Sequence, residues 1–245
     1  MCNRLFLAWQ SSVDHSWHVI GRLDQTEKGY RFVYTAGVKE AHSFLPLLGL
    51  SDINKIYESN QLFPIFSNRL LSPRRPEYED FVRWLDLDVE HVTAMDMLAR
   101  SEAIKVTDTF QVFPDVRSNE YGDGEVVFLV HGASHTWQAE ELRQHLQVGD
   151  ELRLLLDKQN PRDTSAVMIC SDNPSAVVGY LPRYLATGFS ELLDKRPGSL
   201  SIKIKQINQD APRVYQILCS LSYRDGIGNR SIFDGADFQP LVEVG

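Results

Sequence analysis

The second half of the chain alternates short β-rich runs with polar turns, and this pattern limits the folds that it can adopt. Six such runs occur between positions 125 and 223: EVVFLVHG, GDELRLLLD, SAVMICS, AVVGYLP, LSIKIKQI and VYQILCSLSY. They are joined by glycine, proline, aspartate and asparagine, which favour tight turns. Two stretches with helical periodicity, WQAEELRQHL and YLATGFSELLD, interrupt the series. Many short strands with one or two helices predict a small closed or half-open β-barrel.

The first half of the chain has a mixed pattern. Strands are predicted from LFLAWQ, WHVIGRL, YRFVYT and, later, TDTFQVFPDV. LSDINKIYE has Ser51 as a predicted N-cap, and LFPIFSNRLLS has helical spacing with Pro64 expected in the first turn. EYEDFVRWLDL and VEHVTAMDMLARSEA predict two further helices. The chain is therefore predicted to be an α+β protein, in which a small β-sheet with helices precedes the β-rich half.

A polar, turn-rich stretch, PDVRSNEYGDG, separates the two patterns at positions 114–124. We therefore predict two domains, residues 1–119 and residues 120–245. The part up to Asn119 contains 13 basic and 16 acidic residues, and the remainder contains 12 and 17. Neither half is a hidden basic domain.

The charge of the chain limits the partners that it can bind. The formal net charge is -8, whereas a protein that grips a long duplex through its phosphates has at least one basic face. Broad non-specific DNA binding is therefore disfavoured, while a small site for one strand end is compatible with this charge. No apolar stretch approaches the roughly 20 residues needed to cross a bilayer, and the N-terminal apolar run is too short for a signal peptide. A cytoplasmic protein without a membrane partner is expected.

The three cysteines predict neither disulfides nor a zinc site. Cys2, Cys170 and Cys219 are odd in number and far apart in the sequence. Cys170 and Cys219 lie within apolar, strand-like runs, so we expect them to be buried free thiols in a reducing compartment.

The sequence contains none of the common catalytic signatures. There is no phosphate-binding loop, dinucleotide fingerprint, nucleophile elbow or zinc-protease helix. We therefore expect a protein that is not an enzyme and needs no cofactor. His131 and His135 have the i, i+4 spacing that could bind one metal ion on a helix. Because Gly132 follows a predicted strand, a strand end and loop are favoured there, and no metal is expected.

The turn DKQNPRDTSAV, residues 157–167, is the first candidate for ligand contact. Its pattern is typical of a strand, a tight Asn-Pro turn and a second strand. Asp163 and Ser165 can bond to the turn backbone, which is a purely structural role. Alternatively, Arg162 and Asp163 project from the turn toward a ligand.

The segment VVGYLPRYLA, residues 177–186, is the second candidate. A buried strand is predicted to stop at Gly179, and Pro182 is predicted to open a helix with Arg183 in its first turn. A guanidinium group beside the free N–H groups of a helix start favours a phosphate at that place. A surface arginine without a ligand is the alternative.

These segments together resemble the HIRAN domain, over about residues 124 to 223. The resemblance is carried by VVFLVHGASH, VGDELRLLLDKQNPRDTSAVMI and AVVGYLPRYLA, and its most specific part is N-P-x-D-x-x-A-[VI] followed by V-G-Y-[LV]-P-[RK]. It implies a modified OB-like β-barrel that binds single-stranded DNA or a DNA 3′ end.

The resemblance also implies a set of nucleic-acid-binding residues: Ser134, His135, Arg162, Asp163, Tyr180 and Arg183. Asp163 would accept a hydrogen bond from the terminal hydroxyl, and Arg183 would contact a phosphate. The DNA-binding branch of the family has an aromatic residue at the position of Arg162 and an Arg-Tyr pair at the positions of Ser134 and His135. Arginine and histidine are planar groups that can also stack on bases.

The first half resembles the N-terminal subdomain of HipA-type toxin kinases, over about residues 4 to 115. The matching features are VIGRL, YRFVYT, LFPIFSNRLLS and the run AMDMLARSEAIKVTDTFQVFP. The resemblance implies an alternative function, in which the chain is a protein-interaction regulator of a HipA-like kinase in a bacterial toxin–antitoxin or phage-defence system. Its partner would then be a HipA-like kinase or an antitoxin protein. A structural cap on the β-rich half is the simpler alternative for residues 1–119.

Overall fold

The computed structural model describes residues 2–105, 108–132, 145–161 and 163–243 of the chain. They form two compact units, which are discontinuous in sequence. The first comprises Met1–Arg83, Leu87–Asp115 and Phe233–Gly245, and the second comprises Trp84–Asp86 and Val116–Ile232. The chain therefore leaves the first unit after Asp115 and returns to it at Phe233. The domain limits predicted from the sequence, 1–119 and 120–245, stay a prediction.

The first unit contains an antiparallel sheet of five strands within the described residues. These are β1 (Arg4–Gln10), β2 (Trp17–Thr26), β3 (Gly29–Tyr34), β4 (Tyr57–Ser59) and β5 (Phe110–Pro114). They lie in the order β4-β3-β2-β1-β5. The side chains of Leu5, Leu7 and Trp9 alternate along β1 and contribute to the main core of this unit. Phe6, on the other face of β1, packs against Phe113 at 5.7 Å between ring centroids.

Among the described residues before Asp115, three α-helices are present: α1 (Pro64–Ser67), α2 (Tyr78–Trp84) and α3 (Ala94–Ser101). Pro64 occupies the first turn of α1, as predicted, but this helix is much shorter than the pattern LFPIFSNRLLS indicated. Thr93 caps α3, because its hydroxyl oxygen accepts a hydrogen bond from the N–H of Asp96 at 3.1 Å.

The segment after Ser51 does not form a helix, and the N-cap prediction for Ser51 is wrong. The Asp52 side chain instead accepts a hydrogen bond from the N–H of Asn54 at 2.9 Å and closes a local turn. The residues that follow pair with β3 as strand β4. Short 3₁₀ helices in the described chain are Ala36–Lys39, Pro197–Ser199, Arg213–Tyr215 and Ala236–Phe238.

The second unit contains an antiparallel sheet of six strands within its described residues. The strands are β6 (Asp123–Leu129), β7 (Glu151–Leu156), β8 (Val167–Asp172), β9 (Ser175–Tyr180), β10 (Leu200–Ile207) and β11 (Ile217–Arg224), in the order β6-β11-β10-β7-β8-β9. The outer strands meet where His131, just after β6, exchanges two backbone hydrogen bonds with Tyr180, at 2.8 and 3.0 Å. The sheet therefore closes on itself at this point.

The six β-rich runs of the sequence correspond to these six strands, and the second helical pattern corresponds to helix α4 (Arg183–Lys195). Leu185 and Phe189 of α4 are fully buried, as expected for an amphipathic helix that packs on a sheet. The first helical pattern, WQAEELRQHL, lies almost entirely outside the described residues. The prediction of a mixed α+β fold is confirmed.

No helix in the described part of the chain has the length and apolar character required to span a membrane.

Cys170 and Cys219 are buried free thiols, as predicted, and Cys2 is a half-buried free thiol. Burial raises the pKa of the Cys219 thiol to about 12, because the thiolate would lose its hydration. Both strand cysteines act as small apolar residues of the sheet interior.

Candidate functional site

The structure describes three of the six residues that the sequence predicts as a nucleic-acid site. Asp163, Tyr180 and Arg183 are described, whereas Ser134, His135 and Arg162 lie outside the described residues. The possible metal pair His131 and His135 falls partly outside them as well. Among the described residues, no group of three or more potential metal ligands occurs.

Asp163 and Arg183 meet in an ion pair, although 20 positions separate them in the sequence. The Nε atom of Arg183 lies 3.1 Å from Oδ2 of Asp163, and the two side chains are 34% and 20% exposed. Such a partly exposed pair contributes little to stability, about 0–1 kcal/mol. It does hold a negative and a positive group together at a place that a solute can reach.

Asp163 also organises its own turn, so its structural and ligand-facing roles are combined in one side chain. Its Oδ1 atom accepts a hydrogen bond from the N–H of Ser165 at 2.9 Å, which is the short-range bond typical of aspartate in turns. Its carbonyl oxygen accepts from the N–H of Ala166 at 3.1 Å. The carboxylate is therefore held in one orientation, with Oδ2 directed at Arg183.

Arg183 is the first residue of α4, and the preceding Pro182 turns the chain into the helix. Pro182 has extended backbone angles (φ -48, ψ 140), and no side chain caps the helix start. The first turn of α4 contains no acidic residue. The N–H groups of a helix start carry a partial positive charge. Arg183 adds a full positive charge to this end, which makes it suited to an anion such as a phosphate.

Tyr180 connects three segments of the site. Its backbone pairs with that of His131, which directly follows β6 in the described residues. Its hydroxyl donates a hydrogen bond to Oδ2 of Asp157 at 3.2 Å. Burial and the neighbouring Asp157 carboxylate both raise the pKa of the Tyr180 hydroxyl, which keeps it a hydrogen-bond donor.

Two residues of the site, Asp157 and Asn160, were not selected by sequence reasoning. The Asn160 side chain donates from Nδ2 to Oδ2 of Asp157 at 3.1 Å and accepts at Oδ1 from the N–H of Asp163 at 3.2 Å. Both residues stand in the DKQNPRDTSAV segment that pointed to a turn. Their three-residue spacing, with Asn160 three residues before Asp163, is the signal that could have indicated them.

Two basic side chains in the described part of the chain, Lys158 and Arg153, each form an ion pair with an aspartate. The Nζ atom of Lys158 lies 3.0 Å from Oδ1 of Asp194, and Arg153 forms an ion pair with Asp172. Within the described residues, the site therefore contains the carboxylates of Asp163 and Asp157 and the guanidinium group of Arg183 beside a helix start, in a chain whose net charge is negative. This arrangement fits a small polar ligand group better than a long polyanion.

Comparison with known protein families confirms a HIRAN domain in the second half. Residues 123–224 match the family model described as HIRAN domain. Similar solved structures include the HIRAN domain of human HLTF, with 16% identity over 44% of this chain and 78% of that chain, and a TM-score of 0.33. A protein from Lactobacillus plantarum has 20% identity over 42% of this chain and 100% of that chain, also with a TM-score of 0.33. No curated protein matches the chain significantly. The HipA-like character of the first half stays a prediction.

Proposed function

We propose that the second unit binds single-stranded nucleic acid at its end, and that a DNA 3′ end is the preferred ligand. The observation that carries this proposal is the pairing of Asp163 with Arg183 at the start of α4. A carboxylate accepts a hydrogen bond from a terminal hydroxyl, and a guanidinium group beside helix N–H groups binds a phosphate. The match to the HIRAN family over residues 123–224 supports the same ligand class.

Asp163 and Arg183 have different roles in this proposal because their side chains differ in chemistry. Each carboxylate oxygen of Asp163 can accept two hydrogen bonds, so Oδ2 can face Arg183 and still accept one from a hydroxyl group. Arg183 carries five N–H donors in a fixed fork, and it contacts the phosphate that precedes the terminal sugar. Binding of this kind involves no bond making or breaking, so the proposed role is non-catalytic.

The experiment that tests this function compares two oligonucleotides of equal sequence, one with a 3′-hydroxyl and one with a 3′-phosphate, by fluorescence anisotropy. The 3′-hydroxyl strand is expected to bind about 10-fold or more tightly, because a terminal phosphate would bring like charge against Asp163 and remove the donor. Equal affinity for both strands, or no binding to either, would contradict the proposal.

Substitution of Arg183 by glutamine is expected to weaken binding of the 3′-hydroxyl strand by about 10-fold, which is one lost charge-assisted hydrogen bond. Because one phosphate contact is removed, the slope of log K against log salt should fall by about 0.7 in magnitude. The matched control is Lys195→Gln at the other end of α4, where the exposed lysine pairs with Glu191. An unchanged salt slope in the Arg183 variant would show that this residue contacts no phosphate.

For the first unit we propose a second role, as a surface that binds another protein. Two exposed leucines favour it: Leu45 is 82% exposed and Leu48 is 101% exposed. The turn that presents Leu48 is held rigidly, because the buried Tyr34 hydroxyl accepts from the N–H of Leu47 at 2.8 Å and donates to the carbonyl of Leu50 at 2.7 Å. Ordering of this turn before binding would reduce the entropy lost on association.

A HipA-like kinase or an antitoxin remains the partner that we propose for this surface, in a bacterial cytoplasm. Co-purification with the product of any kinase-like gene beside the coding gene tests the idea, with Leu48→Ser as the disrupting variant. Absence of a kinase-like neighbour, or complex formation that the serine variant leaves unchanged, would count against it.

A further inference from the structure

We propose that Asp157 is the positioning residue of the end-binding site, which it serves without touching the ligand. This inference rests on the function proposed above and adds to it the residue that holds Asp163 in place. Asp157 follows the last residue of β7, and its carboxylate oxygen Oδ2 is the meeting point of two hydrogen bonds, one from Tyr180 and one from Asn160.

The first chain of contacts runs from Asp157 through Asn160 to Asp163. An ionised carboxylate can only accept hydrogen bonds, so the amide of Asn160 must direct its NH₂ end at Asp157. The oxygen end of the same amide then faces the opposite way and accepts from the N–H of Asp163 at 3.2 Å. Asp157 therefore determines how the Asn160 amide is turned, and the amide holds the backbone of Asp163.

A second series of contacts connects Asp157 through Tyr180 to the start of α4. The Tyr180 hydroxyl gives its proton to Asp157 at 3.2 Å. The next residue, Leu181, donates its N–H to the carbonyl of Val167 at 3.0 Å, and two residues later the chain reaches Arg183. Tyr180 is thereby held by its side chain on one side and by its backbone pairing with His131 on the other.

The backbone of Asp157 completes the arrangement. Its N–H donates to the carbonyl of Ala166 at 2.8 Å, and its carbonyl accepts from the N–H of Asn160 at 3.0 Å. One residue thus holds both ends of the turn and the strand end that leads to α4. Networks of this kind act as a unit, so losing the shared acceptor releases several groups together. We infer that the geometry of Asp163 toward Arg183 depends on Asp157.

Asp157 and Arg183 are expected to have different functions in the site, because Asp157 positions Asp163 and Arg183 contacts the phosphate. Without Asp157, the Asn160 amide can rotate and Asp163 loses its fixed orientation, so recognition of the terminal hydroxyl should decline. Arg183 keeps its charge, and the backbone hydrogen bonds of Tyr180 with His131 and of Leu181 with Val167 still hold the start of α4, so the number of phosphate contacts should stay the same. The two consequences predict different changes in two measured quantities, the preference for a 3′-hydroxyl and the salt dependence.

The test uses the full chain and the same pair of oligonucleotides. Asp157→Ala is expected to reduce the preference for the 3′-hydroxyl strand by about 10-fold, with an unchanged salt slope. Asp157→Asn is expected to restore most of the preference, because its amide oxygen can accept from both Tyr180 and Asn160. The control is Asp172→Ala, which removes the same charge from a neighbouring strand, where Asp172 is 66% exposed and pairs with Arg153.

Hydrogen exchange of the backbone amides keeps the two proposals distinguishable. In Asp157→Ala the amide hydrogens of Asp163 and Ser165 should exchange faster, while those of β10 and β11 should not change. If the wild-type chain binds neither strand, the proposed function fails, and unchanged exchange at Asp163 would also remove the positioning role. If the wild-type chain discriminates the two ends and Asp157→Ala keeps the full preference, the positioning inference alone is overturned. An equal loss of affinity for both strands would indicate general destabilisation and would overturn it too.

Discussion

Replacement of Arg69 by methionine is expected to lower the free energy of unfolding of the first unit by about 3–5 kcal/mol. The Arg69 side chain is only 2% exposed. Its Nη2 atom lies 2.6 Å from Oδ2 of Asp108, and its other nitrogens donate to the carbonyls of Ile65 and Ala103 at 2.9 and 2.8 Å. Its guanidinium group also lies 5.6 Å from the ring centre of Phe110. Methionine fills a similar volume but leaves all three acceptors without these donors.

Urea denaturation followed by tryptophan fluorescence measures this effect. The matched control is Arg75→Met, because Arg75 is 64% exposed and its ion pair with Glu77 is worth about 0–1 kcal/mol at most. The control should therefore leave the unfolding midpoint nearly unchanged. If the two substitutions lowered the stability equally, the buried contacts of Arg69 would not be the reason for the effect.

The sequence predicted most of the strands because their pattern is set by residues close together. The runs EVVFLVHG and LSIKIKQI became β6 and β10 within a few residues, since period-two alternation and turn residues are local signals. Pro64 similarly marked the first turn of α1, where its missing N–H does no harm.

The failures of sequence reasoning occurred where distant contacts determine the structure. Ser51 precedes a stretch with an acceptable helical pattern, yet Tyr57–Ser59 pairs with β3 and forms β4. Likewise α1 ends at Ser67, two residues before Arg69 turns inward to bind the loop that contains Ala103. The helix propensities of most residue types differ by only a few tenths of a kcal/mol. Strand pairing and buried hydrogen bonds with distant residues therefore override them.

In the candidate site too, local motifs could be predicted from the sequence, whereas contacts between distant residues could not. Asp163 and Arg183 could be proposed from the turn and helix-start motifs, and the structure brings their side chains together. Asp157 and Asn160 were missed, because their three-residue spacing indicates only a local turn. Their connection to the rest of the site depends on the hydroxyl of Tyr180, 23 positions from Asp157 in the chain, which donates to the same carboxylate. The pairing of β8 with β9 also contains a register shift, between Ile169 and Cys170. Such a shift changes the direction of the side chains that follow it, and Tyr180 follows it in β9.

No sequence pattern predicted that the chain returns to the first unit at Phe233. Phe233 packs against Phe6 and Phe113, at 5.8 and 5.3 Å between ring centroids, and Phe238 lies 5.1 Å from Phe6. The backbone continues this contact, because the carbonyl of Gln239 accepts from Ala36 at 2.8 Å and the N–H of Leu241 donates to Tyr34 at 2.9 Å. This C-terminal segment, residues 233–241, therefore covers one face of the first unit's sheet and extends its edge.

A chain that stops after Ile232 is expected to lose about 5 kcal/mol or more from the stability of the first unit. Burial of a phenylalanine side chain is worth roughly 1.5–3 kcal/mol, and each aromatic pair adds about 0.5–1.5 kcal/mol. The truncation removes Phe233 and Phe238, so Phe6 and Phe113 lose the aromatic rings that pack against them. Since small domains are stable by only about 5–15 kcal/mol, the first unit should unfold or become marginal.

Hydrogen exchange locates the loss of stability in the truncated chain. Amide protection should collapse in β1 and β5, while β10 and β11 of the second unit should keep theirs, because their pairing involves no residue beyond Arg224. A chain that stops after Leu241 keeps the aromatic rings and both backbone contacts, so it should behave like the full chain and serves as the control. Phe233→Ala in the full chain should reproduce about 3–5 kcal/mol of the loss, because Phe233 is only 4% exposed. Undiminished protection of β1 and β5 after truncation would mean that the first unit is complete by Asp115 and that the C-terminal segment contributes nothing to its fold.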